Sequence, residues 1–177
     1  MEEKIEFTSF QELTTESLVL RMLKTTDENE IFILRSDDDI NKYISMPKVK
    51  HKAEAMEFIS KILDGIIKNK ALYWAITFKE NPKLIGTICL WNFSEDKKTA
   101  ELGYELFPDF QGRGIMSEAI KKVIDYGFQT IGIETIEAFT NKNNIKSRSL
   151  LLKNNFSADI TRIDEDDINN VIFVLKK

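Results

Sequence analysis

The residues with the clearest chemical potential are Q-G-R-G-I-M-S, at positions 111–117, where two glycines precede a stretch of apolar periodicity. Gly112 and Gly114 carry no Cβ, so the backbone there can approach a ligand closely. The first N–H groups of a helix have no partner within the helix, and the helix dipole adds partial positive charge at that end. Such a turn is suited to bind a phosphate. Ser117 can add a hydroxyl donor and Arg113 a positive charge.

A strand and a helix must position this turn. Residues 101–107, E-L-G-Y-E-L-F, alternate in the manner of a strand, which Pro108 and Asp109 end. After Gly114 the apolar residues fall at helical spacing: Ile115, Ala119, Ile120, Val123, Ile124 and Phe128. The pattern therefore predicts a strand that leads through a glycine turn directly into a helix.

Composition excludes several classes of function. The chain has 177 residues, which indicates one domain spanning 1–177, and its 25 basic and 29 acidic residues give a net charge of −4. This balance argues against a partner such as nucleic acid that is bound by broad basic attraction. No apolar run approaches transmembrane length, and the first residues do not resemble a signal peptide. We therefore expect a cytoplasmic protein with no membrane partner.

The scarcity of cysteine and histidine narrows the chemistry further. Cys89 is the single cysteine, which excludes an internal disulfide and a cysteine-cluster metal site. It stands mid-strand among apolar residues and is expected to be a buried, inert thiol. His51 is the single histidine, which argues against a histidine-based triad or a multi-histidine metal site. We expect no metal cofactor, and the acidic residues 164–167 are interpreted as a solvated turn.

The order of the other predicted elements follows from periodicity and turn residues. No element is assigned to residues 1–17. A helix is predicted over Glu28–Ser36, with Thr26 or Asp27 as its N-cap, and Ile145 and Leu152 are among the expected inward residues of a later helix. The full set is a strand at 17–23, helices at 28–36 and 51–68, strands at 72–78, 84–93 and 99–107, a helix from 114, a strand at 134–140, a helix at 143–155, and a hairpin of 156–163 with 169–175.

Short polar turns join the three central strands, which predicts an antiparallel meander. The strand at 134–140 is reached by a helical crossover, so it should lie parallel to 99–107. The sequence thus predicts a mixed α/β sheet.

The segment Q-G-R-G-I-M resembles the Q/R-x-x-G-x-G/A acetyl-CoA signature of the GNAT N-acetyltransferase superfamily. Gln111 and Gly114 are in place, and Met116 stands where a small residue is usual. The order of the elements is also that of the GNAT fold, so the resemblance covers the chain from about Leu18 onward. It implies a splayed mixed sheet flanked by helices, and an enzyme that uses acetyl-CoA as acyl donor without a metal.

Three segments are similar to the branch that contains the ribosomal-protein-alanine N-acetyltransferases. They are L-V-L-R at 18–21 with an acidic helix start after it, the block at 101–119, and N-x-x-S-x-x-L-L-x-K-x-N-F at 144–156. The last block usually has glycine where Asn155 stands, and asparagine tolerates the left-handed backbone of a helix end.

The resemblance implies the position of the cofactor. The pantetheine arm would lie along the end of the 99–107 strand, near Glu105, Leu106 and Phe107, where this strand and 134–140 splay apart. Asn144 matches the family's asparagine near the CoA arm. Lys142, Lys146 and Arg148 could meet the CoA phosphates, although a solvated basic face explains each one better. The pyrophosphate would sit on the backbone of Gln111, Gly112, Arg113, Gly114, Ile115, Met116 and Ser117.

The resemblance also implies catalytic roles. Glu101 matches a position that carries the general base in some members; the alternative is a structural glutamate that bonds the neighbouring strand. Glu105 shares its strand face and is a possible substitute. Ser147 matches the serine proposed to protonate the leaving thiolate in the ribosomal-protein branch; the alternative is a hydroxyl bonded to its own helix. The tyrosine that does this in many other members would fall at Leu151. With no credible Cys–His or Ser–His pair, we expect the amine to attack the thioester directly.

Other interpretations remain open from the sequence. The glycines half-match a dinucleotide-binding fingerprint, but Ser117 replaces its third glycine and a meander precedes it. They also fit an ordinary strand-to-helix turn. A domain that binds CoA without catalysis, as a sensor or scaffold, would share these features. The acceptor amine is a protein N-terminus, a polyamine, an amino acid or an aminoglycoside, and a homodimer is possible.

Overall fold

The computed structural model describes residues 10–44 and 47–177, which form an eight-stranded mixed sheet with helices on both faces. The predicted mixed α/β fold is confirmed. The strands are β1 (Leu13–Thr14), β2 (Leu18–Met22), β3 (Leu72–Phe78), β4 (Asn81–Trp91), β5 (Thr99–Leu106), β6 (Thr135–Asn141), β7 (Ser157–Ala158) and β8 (Asn170–Lys176). The helices are α1 (Glu28–Ser36), α2 (Lys52–Ile67), α3 (Ile115–Tyr126) and α4 (Ile145–Lys153). Most of residues 1–17 lie outside the described part, and β1 is the one element found there.

The sheet is divided by a short parallel contact. Strands β1 to β5 form an antiparallel meander, and β6 pairs antiparallel with β8 as far as Asn141. Between β5 and β6 the parallel register runs only from Thr99 opposite Thr135 to Glu101 opposite Glu137. The predicted parallel arrangement is confirmed, and the two strands part after these residues.

Each face of the sheet carries its own core. One apolar cluster joins the sheet to α3 and α4 and includes the fully buried Trp74, with Ile120 and Leu151. The other joins the sheet to α1 and α2 through Ile31 and Ile59. Because alternate residues of a strand face opposite sides, β5 contributes to both layers. No helix within the described ranges has the length and apolarity needed to cross a membrane.

The start predicted for the strand at 84–93 is wrong, because β4 already begins at Asn81, which pairs with Phe78. An irregularity of register after Ile76 accommodates Pro82, which has no N–H to donate to a ladder. The carbonyl of Pro82 instead accepts a hydrogen bond from Arg21, at 3.0 Å.

The assignment of Ile145 and Leu152 to the inner face of α4 is also wrong, since they are 61% and 56% exposed. Leu151 is the buried leucine of this helix. Asn144 caps the helix by accepting from the backbone N–H of Ser147 at 3.1 Å. The cap sets a helix rotation in which Ser147 and Leu151, one turn apart, face the sheet.

The close contact of β4 with the end of β5 is testable with two glycines. A Cβ added at Gly86 would lie 2.5 Å from the Glu105 carbonyl oxygen and 2.8 Å from a methyl carbon of Leu106. We expect Gly86→Ala to lower the free energy of unfolding by about 1–3 kcal/mol through overpacking. Gly65 in α2 has no neighbour within 4 Å of its added Cβ, so Gly65→Ala should raise it by about 0.5–1 kcal/mol. Urea denaturation of both variants measures the difference, and effects of the same sign would contradict this packing.

Candidate active site

The gap between β5 and β6 exposes backbone groups of β5. The N–H of Phe107 donates to the carbonyl of Ile85 on β4, at 3.0 Å. Because these groups alternate in direction along a strand, the N–H and C=O of Tyr104 and Leu106 point away from β4, into the gap. The carbonyl of Leu106 accepts there from Nε2 of Gln111, at 3.0 Å. Phe107 itself has no free N–H for a ligand, and its carbonyl accepts from Phe110.

Three hydroxyl groups bridge the gap. The Ser147 Oγ atom lies 2.8 Å from the phenol oxygen of Tyr104 on β5 and 2.9 Å from Oγ1 of Thr140 on β6. The Ser147 hydroxyl therefore contacts the two diverging strands and not the backbone of its own helix. Asn144 uses its side-chain oxygen to cap α4, and the cap does not involve its side-chain amide nitrogen.

The glycine turn adopts the conformation that a helix N-terminal binding site requires. Gly112 and Gly114 have φ of +75° and +80°, and Gly114 is the N-cap of α3. Side chains other than glycine rarely adopt this left-handed backbone. Among residues 10–44 and 47–177, an added Cβ at either glycine would meet no atom within 4 Å, so these residues leave the space in front of the turn open. The backbone N–H groups of the first turn of α3 face this space.

The side chains that follow the turn point into the protein. Ile115 and Met116 are 7% and 6% exposed and belong to the apolar cluster under α3. The departure at Met116 from the family signature therefore places its bulk in the core and not against a ligand. Ser117 is also buried, and its hydroxyl lies 3.1 Å from Oδ1 of Asn154. That hydroxyl joins α3 to the end of α4, so the expected extra donor of Ser117 is used inside the fold.

Two basic side chains, Arg113 and Lys146, lie near the glycine turn. Arg113 is exposed, with its guanidinium 6.0 Å from the centre of the Phe110 ring. The ammonium of Lys146 lies 3.4 Å from Oε1 of Gln111. Arg148 instead donates to the carbonyl of Lys142 at 2.9 Å, which holds its guanidinium against the loop before α4.

Glu101 lies on the opposite face of β5, at the point where the strands part. Its Oε2 accepts from the side-chain amide of Asn92 at 3.2 Å. Burial raises the pKa of Glu101, and the negative charges of Asp164 and Glu137 raise it further, while the Asn92 hydrogen bond opposes both. Glu101 is thus a carboxyl group at the mouth of the gap whose pKa is raised above its ordinary value.

The interpretation of 164–167 as a solvated turn is wrong for Asp164, which is 9% exposed. Its carboxylate accepts from the Asp166 N–H at 3.0 Å and from the Asn170 amide at 2.8 Å, and so closes the turn before β8. Asp164 is also near enough to Glu101 to affect its pKa. Within residues 10–44 and 47–177, no group of histidine, cysteine and acidic side chains is arranged to hold a metal ion.

Glu105 has a different environment from Glu101. Its carboxylate lies 3.6 Å from the guanidinium of Arg35, and both side chains are buried. Burial raises the pKa of Glu105, although the charge of Arg35 and a hydrogen bond from Thr87 oppose the rise. Arg35 also lies over the Phe58 ring, 4.3 Å from its centre. This carboxylate is held as half of a buried ion pair.

Cys89 lies on the same face of the sheet, opposite Gly103 on β5. Burial raises the pKa of its thiol to about 12. The thiol is therefore protonated at ordinary pH and is not a nucleophile, as its place in the sequence predicted.

The structure thus groups the predicted residues around one gap: the turn at one end, Ser147 on the α4 face and Glu101 on the other face. Sequence reasoning missed Tyr104 and Thr140, which complete the hydroxyl bridge. Strand alternation already places Tyr104 on the α4 face of β5, but nothing local to Thr140 indicates a contact with Ser147.

Comparisons with known proteins identify the family and the fold. A family model described as an acetyltransferase (GNAT) domain matches residues 17–157. The chain is 31% identical over 150 residues to the uncharacterized N-acetyltransferase YoaA of Bacillus subtilis strain 168, covering 85% of each chain. It is also 31% identical over 99 residues to the ribosomal-protein-serine acetyltransferase of Escherichia coli K12, covering 52% of this chain and 55% of that one.

Among solved structures, the Microcin C7 self immunity acetyltransferase MccE in complex with acetyl-CoA and AMP has the same fold, with a TM-score of 0.79. It is 24% identical to this chain, and the match covers 92% of this chain and 93% of MccE. The expected resemblance and fold are confirmed by these matches.

The glycine turn yields a test of cofactor binding with a matched control. Gly114→Asp places a carboxylate in front of the α3 N-terminus, so CoA should no longer raise the melting temperature of the variant, as it should raise that of the wild type. Gly132 has φ of +84°, and its added Cβ also meets no atom of the described part of the chain within 4 Å. Gly132→Asp should therefore cost similar backbone strain, about 1–2 kcal/mol, but keep the response to CoA. Equal responses of the two variants, or a response to NAD in place of CoA, would contradict the assignment.

Proposed function

Since this chain belongs to the GNAT acetyltransferase family, we propose that it transfers the acetyl group of acetyl-CoA to a primary amine, which attacks the thioester directly. The observation that carries the proposal is the gap between β5 and β6, with a helix N-terminus at one end and ionisable groups on both faces. The relative from Escherichia coli is by its name an acetyltransferase of a ribosomal protein, and MccE holds acetyl-CoA.

The cofactor half of the site follows the gap. The pyrophosphate binds the backbone N–H groups between Gln111 and Ser117, where the α3 dipole and Arg113 add positive charge. The pantetheine amides pair with the gap-facing backbone groups of β5, at Tyr104 and Leu106, in place of a neighbouring strand. Gln111 then releases the Leu106 carbonyl or shares it, since a carbonyl oxygen accepts two hydrogen bonds.

The Ser147 hydroxyl contacts Tyr104 and Thr140 across the gap, so the thioester sulfur comes next to this hydroxyl. The acyl carbon then faces the side of the sheet that carries Glu101.

The chemistry needs a neutral amine and a stabilised leaving group. Glu101 accepts a proton from the bound ammonium, directly or through water, and passes it to solvent. The amine nitrogen then attacks the carbonyl carbon and gives up its second proton to Glu101. When the intermediate collapses, the carbon–sulfur bond breaks, sulfur keeps the electron pair, and Ser147 donates a proton to it. Most of the rate gain comes from holding the two reactants together in line. Cys89 forms no acetyl-enzyme intermediate, since its pKa is raised to about 12 and the thiol stays protonated.

The acceptor face favours a cationic substrate. Glu101, Glu137 and Asp164 are close enough for the latter two to raise the pKa of Glu101. Arg162 pairs with Glu137, whereas Glu101 is held by the amide of Asn92. An ammonium group next to Glu101 would relieve this repulsion. The acceptor is accordingly a protein N-terminus or a small-molecule amine.

A thiol-release assay tests the proposed reaction. Acetyl-CoA should release free CoA only when an acceptor is present, in a panel of free-N-terminus peptides, a polyamine, an amino acid and an aminoglycoside. The same peptides with blocked N-termini are the matched controls and should release none. Cys89→Ala should retain transfer, because the thiol carries no intermediate. Absence of thiol release with every amine would overturn the proposal, and loss of transfer in Cys89→Ala with CoA binding intact would overturn direct attack.

The base role predicts a pH-dependent defect for Glu101→Gln. A peptide α-amine has a pKa near about 8 and an alkyl amine near about 10.4. As pH rises, more of the acceptor is already neutral, so the loss of rate in the variant should shrink. It should largely vanish by about pH 9 for an α-amine and persist beyond that for an alkyl amine. Rate–pH profiles of both proteins are the measurement, and a constant ratio across the range would assign Glu101 to positioning.

Glu101→Gln should slow the reaction but raise the stability of the folded protein at neutral pH. The folded-state pKa of Glu101 is raised above its unfolded value of about 4.3, so the folded protein binds more protons than the unfolded chain. Its contribution to stability is therefore present at low pH and lost as pH rises through the folded pKa. Glu101→Gln should raise the melting temperature at neutral pH but not near pH 4. Glu134→Gln, at an exposed carboxylate paired with Lys98, makes the same change of charge and should lack both effects.

A further inference from the structure

Of the three hydroxyl groups that bridge the gap, only Ser147 has a role in the proposed reaction. Thr140 donates to Ser147 Oγ at 2.9 Å, and Tyr104 lies 2.8 Å from the same oxygen. A hydroxyl has one proton and accepts two hydrogen bonds. The direction of the Tyr104 contact therefore decides where the Ser147 proton points.

The surroundings of Tyr104 favour donation from its phenol to Ser147. Its ring packs against the apolar cluster under α3 and α4, and Ser147 is the hydrogen-bond partner of its phenol in the described structure. If Ser147 donated to Tyr104, the phenol proton would have no protein acceptor among the described residues, which costs free energy once a bound ligand excludes water from the gap. If Tyr104 donates, both Tyr104 and Thr140 donate to Ser147. The Ser147 proton is then free to point into the gap.

We propose, on the basis of the function proposed above, that Tyr104 is a positioning residue: it aims the Ser147 proton at the leaving sulfur and replaces that proton as it leaves. The carbon–sulfur bond breaks and sulfur keeps the electron pair. The Ser147 proton moves to sulfur, and the Tyr104 proton moves to Ser147 Oγ. Solvent then restores the proton of the Tyr104 phenolate after the products depart.

Two physical arguments favour this relay over serine acting alone. An aliphatic hydroxyl ionises far less readily than a phenol, so a Ser147 alkoxide left in the gap would oppose the transfer. A proton arriving from Tyr104 removes that charge. Burial also raises the pKa of Tyr104 to about 12, so the phenol holds its proton at ordinary pH and the relay is loaded before each turnover. Thr140 has no role in the transfer beyond fixing the orientation of Ser147.

A purely structural role for Tyr104 is the competing explanation, because the bridge also ties β5 to α4. The ring of Tyr104 supplies packing and its hydroxyl supplies the relay, and Tyr104→Phe removes only the hydroxyl. Tyr126 offers a matched control, since it is a buried tyrosine of the same apolar cluster, packed edge-on against Trp74. Tyr126→Phe deletes a phenol oxygen from this core without touching the gap.

The test is the single-turnover rate of acetyl transfer, with acetyl-CoA affinity measured separately. We expect Tyr104→Phe and Ser147→Ala each to slow transfer by about tenfold to a hundredfold, with acetyl-CoA affinity and melting temperature little changed. Because the two residues act as one unit, the double variant should be about as slow as the slower single variant. Tyr126→Phe should transfer at the wild-type rate.

A solvent-isotope measurement separates the relay from support of the fold. If two protons move together, the wild-type rate should depend on the deuterium fraction of the solvent along a curve, and that of Tyr104→Phe along a straight line. A wild-type rate in Tyr104→Phe, multiplicative losses in the double variant, or the same isotope dependence in both proteins would overturn the relay. A wild type that releases no thiol with any amine would overturn the proposed function instead, and the two failures are therefore distinguishable.

Discussion

The rest of the structure depends on the short parallel contact between β5 and β6. Each of these strands is held straight by its outer neighbour: β5 pairs with β4 as far as Leu106, and β6 pairs with β8 as far as Asn141. Twist rotates neighbouring strands relative to one another, and with only Thr99–Glu101 of β5 paired to β6 the two halves of the sheet diverge. The backbone groups that lose a ladder there need other partners. The side chain of Gln111 supplies one of them, at the carbonyl of Leu106, and an extended ligand rich in amides has the shape to supply others.

Because alternate residues of a strand face opposite sides, β5 carries a phenol on one face and carboxylates on the other. Tyr104 faces α4 together with the apolar residues of β5, whereas Glu101 and Glu105 face α1 and α2. Between the two glutamates stands Gly103, where an added Cβ would lie 2.9 Å from the sulfur of Cys89. The neighbouring strand thus packs closely along this face. Glu105 is paired with Arg35, and Glu101 lies at the gap with an amide partner, so two like residues on one strand face have different surroundings.

Most of the fold could be predicted because its signals are local. The acidic residues at its start mark α1, a continuous apolar run marks β3, and the glycine turn marks the start of α3. The start of β4 could not be predicted, because Pro82 reads as a turn unless the irregular register opposite Phe78 is known. The α4 face was misjudged because its helix is amphipathic only weakly by sequence, and the cap at Asn144 fixes its rotation.

The residues of the site that could be predicted are likewise those with a local signal in the sequence. Gln111 to Ser117 and Ser147 could be found because each belongs to a contiguous motif, yet the motif did not show that Ser117 and Met116 point into the core. Tyr104 on β5 and Thr140 on β6 are far apart in the sequence, with α3 between them. Both contact Ser147 only because β5 and β6 stop pairing before these residues. Asp164 lies at a turn whose composition indicates solvent, and only the fold of β8 beside β6 brings its carboxylate toward Glu101.

The electrostatics of the acceptor face place a limit on how the proposed reaction can work. Carboxylates near Glu101 favour an ammonium, but an ammonium has no lone pair and cannot attack. A stronger negative field would bind the acceptor more tightly and, by the same interaction, hold its proton more firmly. Burial of Glu101 acts against this penalty, because a carboxyl group with a raised pKa accepts a proton more readily than an exposed one. The pairing of Arg162 with Glu137 further moderates the field. The acceptor face is therefore better suited to releasing a proton from a bound amine than a fully exposed acidic cluster of the same charge would be.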